Sequence, residues 1–156
     1  MKKVLVVMGS DSDLKVMEKC VDRLKSFDIP TEVRICSAHR TPAVAEQLAE
    51  NAAAEGFGVI IAAGGVLAAY TTLPVIGVPM ATSVMGGMDS LLSIVQMPKG
   101  IPVATVAIDG ADNAAILAAQ MIALSDDALA QKLAQFKADM AAEVTAKDEK
   151  VRAQFA

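Results

Sequence analysis

Five short apolar runs, separated by stretches with helical spacing, most constrain what this chain can fold into. Val4-Leu5-Val6-Val7-Met8 opens the series; Val59-Ile60-Ile61-Ala62, Val75-Ile76-Gly77-Val78 and Val103-Ala104-Thr105-Val106-Ala107 repeat it, and residues 31–35 alternate. Unbroken apolar runs mark strands covered on both faces, as in a parallel sheet between two helix layers. The intervening segments supply those layers. Leu14, Met17, Val21, Leu24 and Phe27 recur at helical spacing until Asp28-Ile29-Pro30 ends the helix. Pro42 suits the first turn of a second helix, running to about residue 55 with Gly56 as its C-cap. A helix-like piece spans 66–72, and Asp89 or Ser90 can cap a short helix through Val95. Asp112-Asn113 opens another helix through about Leu124, and Ser125-Asp126-Asp127 caps a last one. The expectation is an α/β protein with a flavodoxin-like doubly wound sheet, a five-stranded parallel core and a long C-terminal helix.

The chain has 156 residues, 54% of them apolar, with four Phe, one Tyr and no Trp, so a single domain with a core of Ala, Val, Ile, Leu and Met is expected. A net charge of −4 argues against non-specific nucleic-acid binding, which needs a basic face. The longest apolar stretch, 57–88, is broken by Gly and Pro, so no membrane span is expected. Met1-Lys2-Lys3 leads straight into the first strand without a cleavage-site pattern and does not read as a signal peptide. Cys20 and Cys36 form no CxxC or Cys/His cluster; they fit a reduced, cytoplasmic setting as small hydrophobes.

In such sheets ligands bind at the carboxyl ends of the strands, beside the switch in strand order. Three polar or Gly-rich loops then share one rim: Gly9-Ser10-Asp11-Ser12-Asp13, Ser37-Ala38-His39-Arg40-Thr41-Pro42 and Gly64-Gly65. The first offers hydroxyls and free N–H groups at a helix start, a cradle for phosphate, although an ordinary capped turn looks the same. It is neither a dinucleotide fingerprint nor a P-loop. His39 is the only histidine, and histidine is the side chain whose ordinary pKa lies near neutrality, which makes it the first candidate for moving protons. Arg40 beside it can clamp a phosphate or carboxylate; the plainer reading is a surface ion pair. Gly64-Gly65 permits close backbone approach to a ligand, or simply a tight turn. Met80, Met85, Met88 and Met97 read as gap fillers, and Asp89 and Ser90 as a helix cap. No metal site is expected from one histidine without a thiol cluster, and no GxSxG supports a serine triad. Cys36 as a nucleophile stays open, though a strand-end cysteine is usually buried and inert. Leu129, Leu133, Phe136, Met140, Val144, Val151 and Phe155 form an amphipathic stripe on the tail, suited to a neighbouring subunit or to its own sheet.

Five strings carry a resemblance: Met8-Gly9-Ser10-Asp11-Ser12-Asp13, Ser37-Ala38-His39-Arg40-Thr41-Pro42, Leu73-Pro74-Val75-Ile76-Gly77-Val78-Pro79, Asp89-Ser90-Leu91-Leu92-Ser93-Ile94-Val95-Gln96-Met97-Pro98 and Pro102-Val103-Ala104-Thr105-Val106-Ala107-Ile108. Together, over about residues 4–124, they closely resemble the class I N5-carboxyaminoimidazole ribonucleotide mutases of bacterial purine biosynthesis. The resemblance implies an enzyme that moves a carboxylate from the exocyclic nitrogen of an aminoimidazole ribonucleotide to ring carbon C4. It implies decarboxylation, a trapped CO2 and attack by C4, with no metal or organic cofactor. By motif match His39 is the acid–base catalyst. Ser10, Asp13 and Arg40 hold phosphate and ribose, and Gly9, Ser12, Ser37, Ala38, Gly64 and Gly65 belong to the same substrate pocket. A cytoplasmic homo-octamer is implied, with residues 1–124 as catalytic domain and 125–156 as a helix docking on a neighbour, one domain overall.

One departure stands out. The family carries a longer loop after the third strand, Gly-Ala-Gly-Gly-Ala-Ala-His-Leu-Pro-Gly, with a second histidine. Here Ile61-Ala62-Ala63-Gly64-Gly65 runs straight into Val66-Leu67-Ala68-Ala69. Either the loop is truly short, or a lid-like segment belongs between Gly65 and Val66; an intact mass of 16.2 kDa decides for the first. Two rival functions follow the same residues. A related carboxylase uses free CO2 and the uncarboxylated ribonucleotide, and there the arginine after the histidine is replaced by lysine, so Arg40 favours the mutase. A non-catalytic nucleotide-binding module of the same fold is the other, permitted by the short loop.

Overall fold

A computed structural model of the chain describes residues 1–64, 66–83 and 85–156. Five parallel strands, β1 (Lys3–Met8), β2 (Thr31–Ile35), β3 (Phe57–Ala62), β4 (Val75–Gly77) and β5 (Ala104–Thr105), stand in the order β2-β1-β3-β4-β5. The doubly wound, flavodoxin-like expectation holds. Helices α1 (Leu14–Ser26), α2 (Pro42–Asn51), α3 (Met88–Val95), α4 (Ala111–Ala123) and α5 (Asp127–Gln154) flank the sheet.

The period of two along each strand divides the core. Val4, Val6, Met8, Val59, Ile61 and Ile76 face α1, α4 and the start of α5. Leu5, Val7, Ile60, Ala62 and Val75 face α2 and the 3₁₀ segment Val66–Tyr70. Inner strands β1 and β3 are buried on both faces, so they read as continuous apolar runs. Edge strand β2 is covered less: Val33 and Ile35, the apolar members of its alternation, are exposed. The scarcity of large aromatics has a structural counterpart in α4, whose buried face is Ala111, Ala114, Ala115, Ala118, Ala119 and Ile122. α3 comes close to β4: a Cβ at Gly77 would sit 2.5 Å from Ile94 Cγ2.

Several boundaries differ from expectation. α2 ends at Asn51, four residues early, and turns carry the chain on to Gly56, which closes it as expected of a C-cap: φ is +92°, Gly56 N donates to Ala53 O at 3.2 Å and Phe57 N to Ala52 O at 3.0 Å. β5 shrinks to two residues because it pairs only with the three-residue β4. Neither Asp89 nor Ser90 caps α3. The helix already starts at Met88, with left-handed Gly87 at the cap position, and Asp89 instead accepts the Thr82 hydroxyl at 2.8 Å. A Cβ at Gly87 would lie 3.0 Å from the Ala81 Cα and the Met80 carbonyl oxygen, so this turn requires glycine.

The start of α5 locks onto the body. Asp126 caps it by accepting from Leu129 N at 2.9 Å. Lys132 reaches the end of α1, donating to Asp28 Oδ2 at 2.6 Å and to the Phe27 carbonyl at 3.5 Å. Phe136 meets Phe27 edge-to-face at 5.4 Å and lies under Arg23, whose Nε donates to Asp112 at 2.8 Å. Beneath this cluster Cys20 is buried, and burial first, then the Asp112 carboxylate, pushes its thiol up to about 12, so it stays neutral. Leu129→Ala empties a fully buried site, and denaturant unfolding is expected to show a loss of about 2–5 kcal/mol. A loss below about 1 kcal/mol would mean that α5 is not part of the core.

Candidate active site

β1, β2 and β3 run in one direction, so the loops leaving them open on one rim. After β1 the chain makes the 3₁₀ turn Asp11–Asp13, capped by Ser10, whose Oγ accepts from Ser12 N at 3.3 Å and from the Ser12 hydroxyl at 3.1 Å. Asp13 N donates to the Ser10 carbonyl at 3.2 Å. After β2, Cys36 N donates to the Met8 carbonyl at 2.8 Å, which prolongs the β1–β2 ladder to the rim. A tight turn follows. Thr41 closes it through its N–H and hydroxyl, which donate to the Ser37 carbonyl at 2.7 and 2.8 Å. Pro42 then starts α2.

This turn presents His39 and Arg40 as exposed side chains. His39 has no hydrogen-bond partner among the described residues, so both ring nitrogens are open to a ligand. Arg40 folds back over the rim: its Nη2 donates to the Gly9 carbonyl at 3.1 Å and its Nε to Ser37 Oγ at 3.4 Å. Its charge is thereby held beside the Ser10 turn.

Two cavities meet at His39. One, of about 120 Å³, is lined by Gly9, Ser37, Ala38, His39 and Gly64 together with Cys36 and Leu67. The other, of about 320 Å³, is lined by His39, Gly64, Met80, Ser90, Ser93 and Met97 with Val78 and Ile94. Gly64, at φ +130°, lies on the wall of both. A larger hollow of about 710 Å³ opens where β4 and β5 begin, lined by Glu50, Tyr70, Leu73 and Ile101, and shares no residue with the His39 cavities. The convergence of an imidazole, a guanidinium and a capped turn at a strand-order switch makes the His39 rim the better site.

The structure thus brings Gly9, Ser37, Ala38, His39, Arg40 and Gly64 together. Ser10, Ser12 and Asp13 stand on the adjoining turn, outside the cavity walls. Gly65 lies outside the described residues. Sequence reasoning missed the second wall: Ser90 was assigned to a cap, and Met80 and Met97 to gap filling. For Ser90 and Met97 the signal lay in the string from Asp89 to Pro98, legible as a motif but not as a position; Met80 directly follows the string from Leu73 to Pro79. Cys36 lines the smaller cavity, with its sulfur 3.6 Å from the Thr41 hydroxyl and, among the described residues, no cation or imidazole bonded to it.

A family model described as AIR carboxylase matches residues 3–143. The chain belongs to the AIR carboxylase family. Among its members, the N5-carboxyaminoimidazole ribonucleotide mutase of Methanocaldococcus jannaschii is 48% identical over 156 residues, spanning 97% of this chain and 99% of that protein. The mutase of Mycobacterium leprae is 50% identical over 153 residues, 94% of this chain and 90% of that one. The crystal structure of Treponema denticola PurE superposes with a TM-score of 0.81 at 28% identity, covering 94% of this chain and 96% of that one. The family-model match, residues 3–143, spans the whole sheet and the rim-loop sequences of this family member.

Proposed function

We propose that this chain is an N5-carboxyaminoimidazole ribonucleotide mutase of purine biosynthesis, converting its substrate to 4-carboxy-5-aminoimidazole ribonucleotide. The observation that carries the proposal is 48–50% identity over nearly the whole chain to relatives of that name, combined with His39 and Arg40 on one rim. In this reading Ser10, Asp13 and Arg40 hold the phosphate and ribose, and the aminoimidazole lies against His39. The exocyclic N–CO2 bond breaks, and the imidazolium of His39 gives the nitrogen its proton. The freed CO2 stays beside the ring. C4 attacks it, a C–C bond forms, and the C4 proton passes to the now neutral His39. Atoms and charge balance, and the histidine returns to its starting form. The rate advantage comes from holding CO2 at high effective concentration and from one group that gives and takes a proton near neutrality.

The test is substrate choice. The N5-carboxylated ribonucleotide without bicarbonate, and the uncarboxylated one with it, are each followed by ultraviolet absorbance. Turnover of the first alone supports the mutase. Turnover of the second alone assigns the carboxylase reaction, and turnover of neither leaves a binding module.

We further propose a cytoplasmic homo-octamer in which α5 docks on a neighbour. Every residue from 137 to 156 is exposed, Val144, Val151 and Phe155 among them. The helical part of that stretch is about 27 Å long and leaves Met140, Val144, Val151 and Phe155 uncovered, which a neighbouring subunit would bury. Light scattering is expected to return the mass of an octamer; a 16.2 kDa monomer would remove this reading. Among the described residues no helix is long and apolar enough to cross a membrane.

A further inference from the structure

We propose that Ser37 is a positioning residue that aims Arg40 at the substrate phosphate, an inference that rests on the clamp role given to Arg40 above. The Ser37 hydroxyl oxygen accepts twice from Arg40, from the backbone N at 3.1 Å and from Nε at 3.4 Å. The Gly9 carbonyl accepts Nη2 at 3.1 Å. A guanidinium has five N–H donors in a rigid plane. Two are committed to Ser37 and Gly9, which fixes the plane and leaves three for ligand oxygens.

The brace is itself anchored. The Ser37 carbonyl receives both Thr41 donors, and Thr41 immediately precedes α2, so Ser37 is tied to a rigid element. Among the described residues, the Arg40–Gly9 contact is the one side-chain hydrogen bond that joins the β1 and β2 rim loops. An exposed arginine ordinarily samples many rotamers and loses that freedom on binding. Here the freedom is largely given up before substrate arrives, so the phosphate meets a preorganised donor set. Both lone pairs of Ser37 Oγ are engaged by Arg40, one by its backbone and one by its guanidinium, and the hydroxyl proton is the one group of the side chain left for another partner.

The experiment is a double-mutant cycle on the full chain, with Ser37→Ala, Arg40→Ala and their combination. KM and kcat are measured for the N5-carboxylated ribonucleotide, and melting temperatures verify folding. Loss of the brace is expected to raise KM by about 5- to 10-fold with kcat within about threefold. In the Arg40→Ala background, Ser37→Ala should change KM no further. Ser37→Thr, which keeps the hydroxyl, should stay near the parent KM. A Ser37→Ala enzyme with parental KM overturns the brace, provided Arg40→Ala raises KM. Equal KM increases with and without the Arg40 side chain overturn it too, because Ser37 then acts on binding without the guanidinium. If Ser37→Ala does not fold, the comparison of Ser37→Thr with Ser37→Cys, a weaker acceptor, carries the test: equal KM values reject the brace. Parental KM in Arg40→Ala defeats the clamp role first, and the brace with it.

Discussion

Replacing His39 with asparagine is expected to lower kcat by about 10²- to 10⁴-fold, the usual contribution of a positioned acid–base group. The substrate should still bind. Asparagine keeps a polar side chain of similar reach but cannot accept and return a proton near neutrality. The geometry explains why no neighbour should substitute. His39 is the chain's one histidine, it lines both cavities of the rim, and its ring nitrogens have no protein partner among the described residues. Stopped-flow or steady-state absorbance gives the rate, and calorimetric titration gives the affinity. A His39→Asn enzyme with near-parental kcat removes His39 from the mechanism.

Arg40→Ala should act on the other side of the ledger, weakening substrate affinity by about 10- to 100-fold, as expected for the loss of charge-assisted hydrogen bonds to phosphate. kcat at saturation should fall much less, because the phosphate lies away from the bonds that change. Arg40→Lys should recover only part of the loss. An ammonium is a point charge and cannot both bond to Gly9 O and Ser37 Oγ and present a planar fork. Binding that falls with added salt in the parent and is salt-insensitive in Arg40→Ala would support the same assignment. Unchanged affinity in Arg40→Ala rejects the clamp.

The layer arrangement was legible because burial writes itself into periodicity. The runs at 4–8 and 59–62 read as strands covered on both faces and are so, and the alternation at 31–35 reads as a strand without showing that it is the sheet edge. Boundaries were less legible where tertiary partners set them. β5 is short because β4 is short. α3 starts before Asp89 because that carboxylate takes the Thr82 hydroxyl rather than its own helix N-terminus. The rim loops were legible as polar punctuation after strands, and His39 and Arg40 as chemistry. The brace through Ser37 was not, because a serine three residues before an arginine says nothing of where the guanidinium turns. Nor was the second cavity wall, where Met80 after β4 meets Ser90 and Met97 from the α3 segment, with Ile94 of α3 packed close against Gly77.

The short passage from β3 to the 3₁₀ segment at Val66 gives the central claim a sharp test, since a mutase must keep its CO2 during transfer. The most direct measurement supplies the unlabelled N5-carboxylated ribonucleotide in buffer containing ¹³C-bicarbonate and follows the product carboxylate by ¹³C NMR or mass spectrometry. The account predicts that the product forms and carries the substrate's own, unlabelled carboxylate. Product whose carboxylate is mostly labelled, or no product at all, would contradict it.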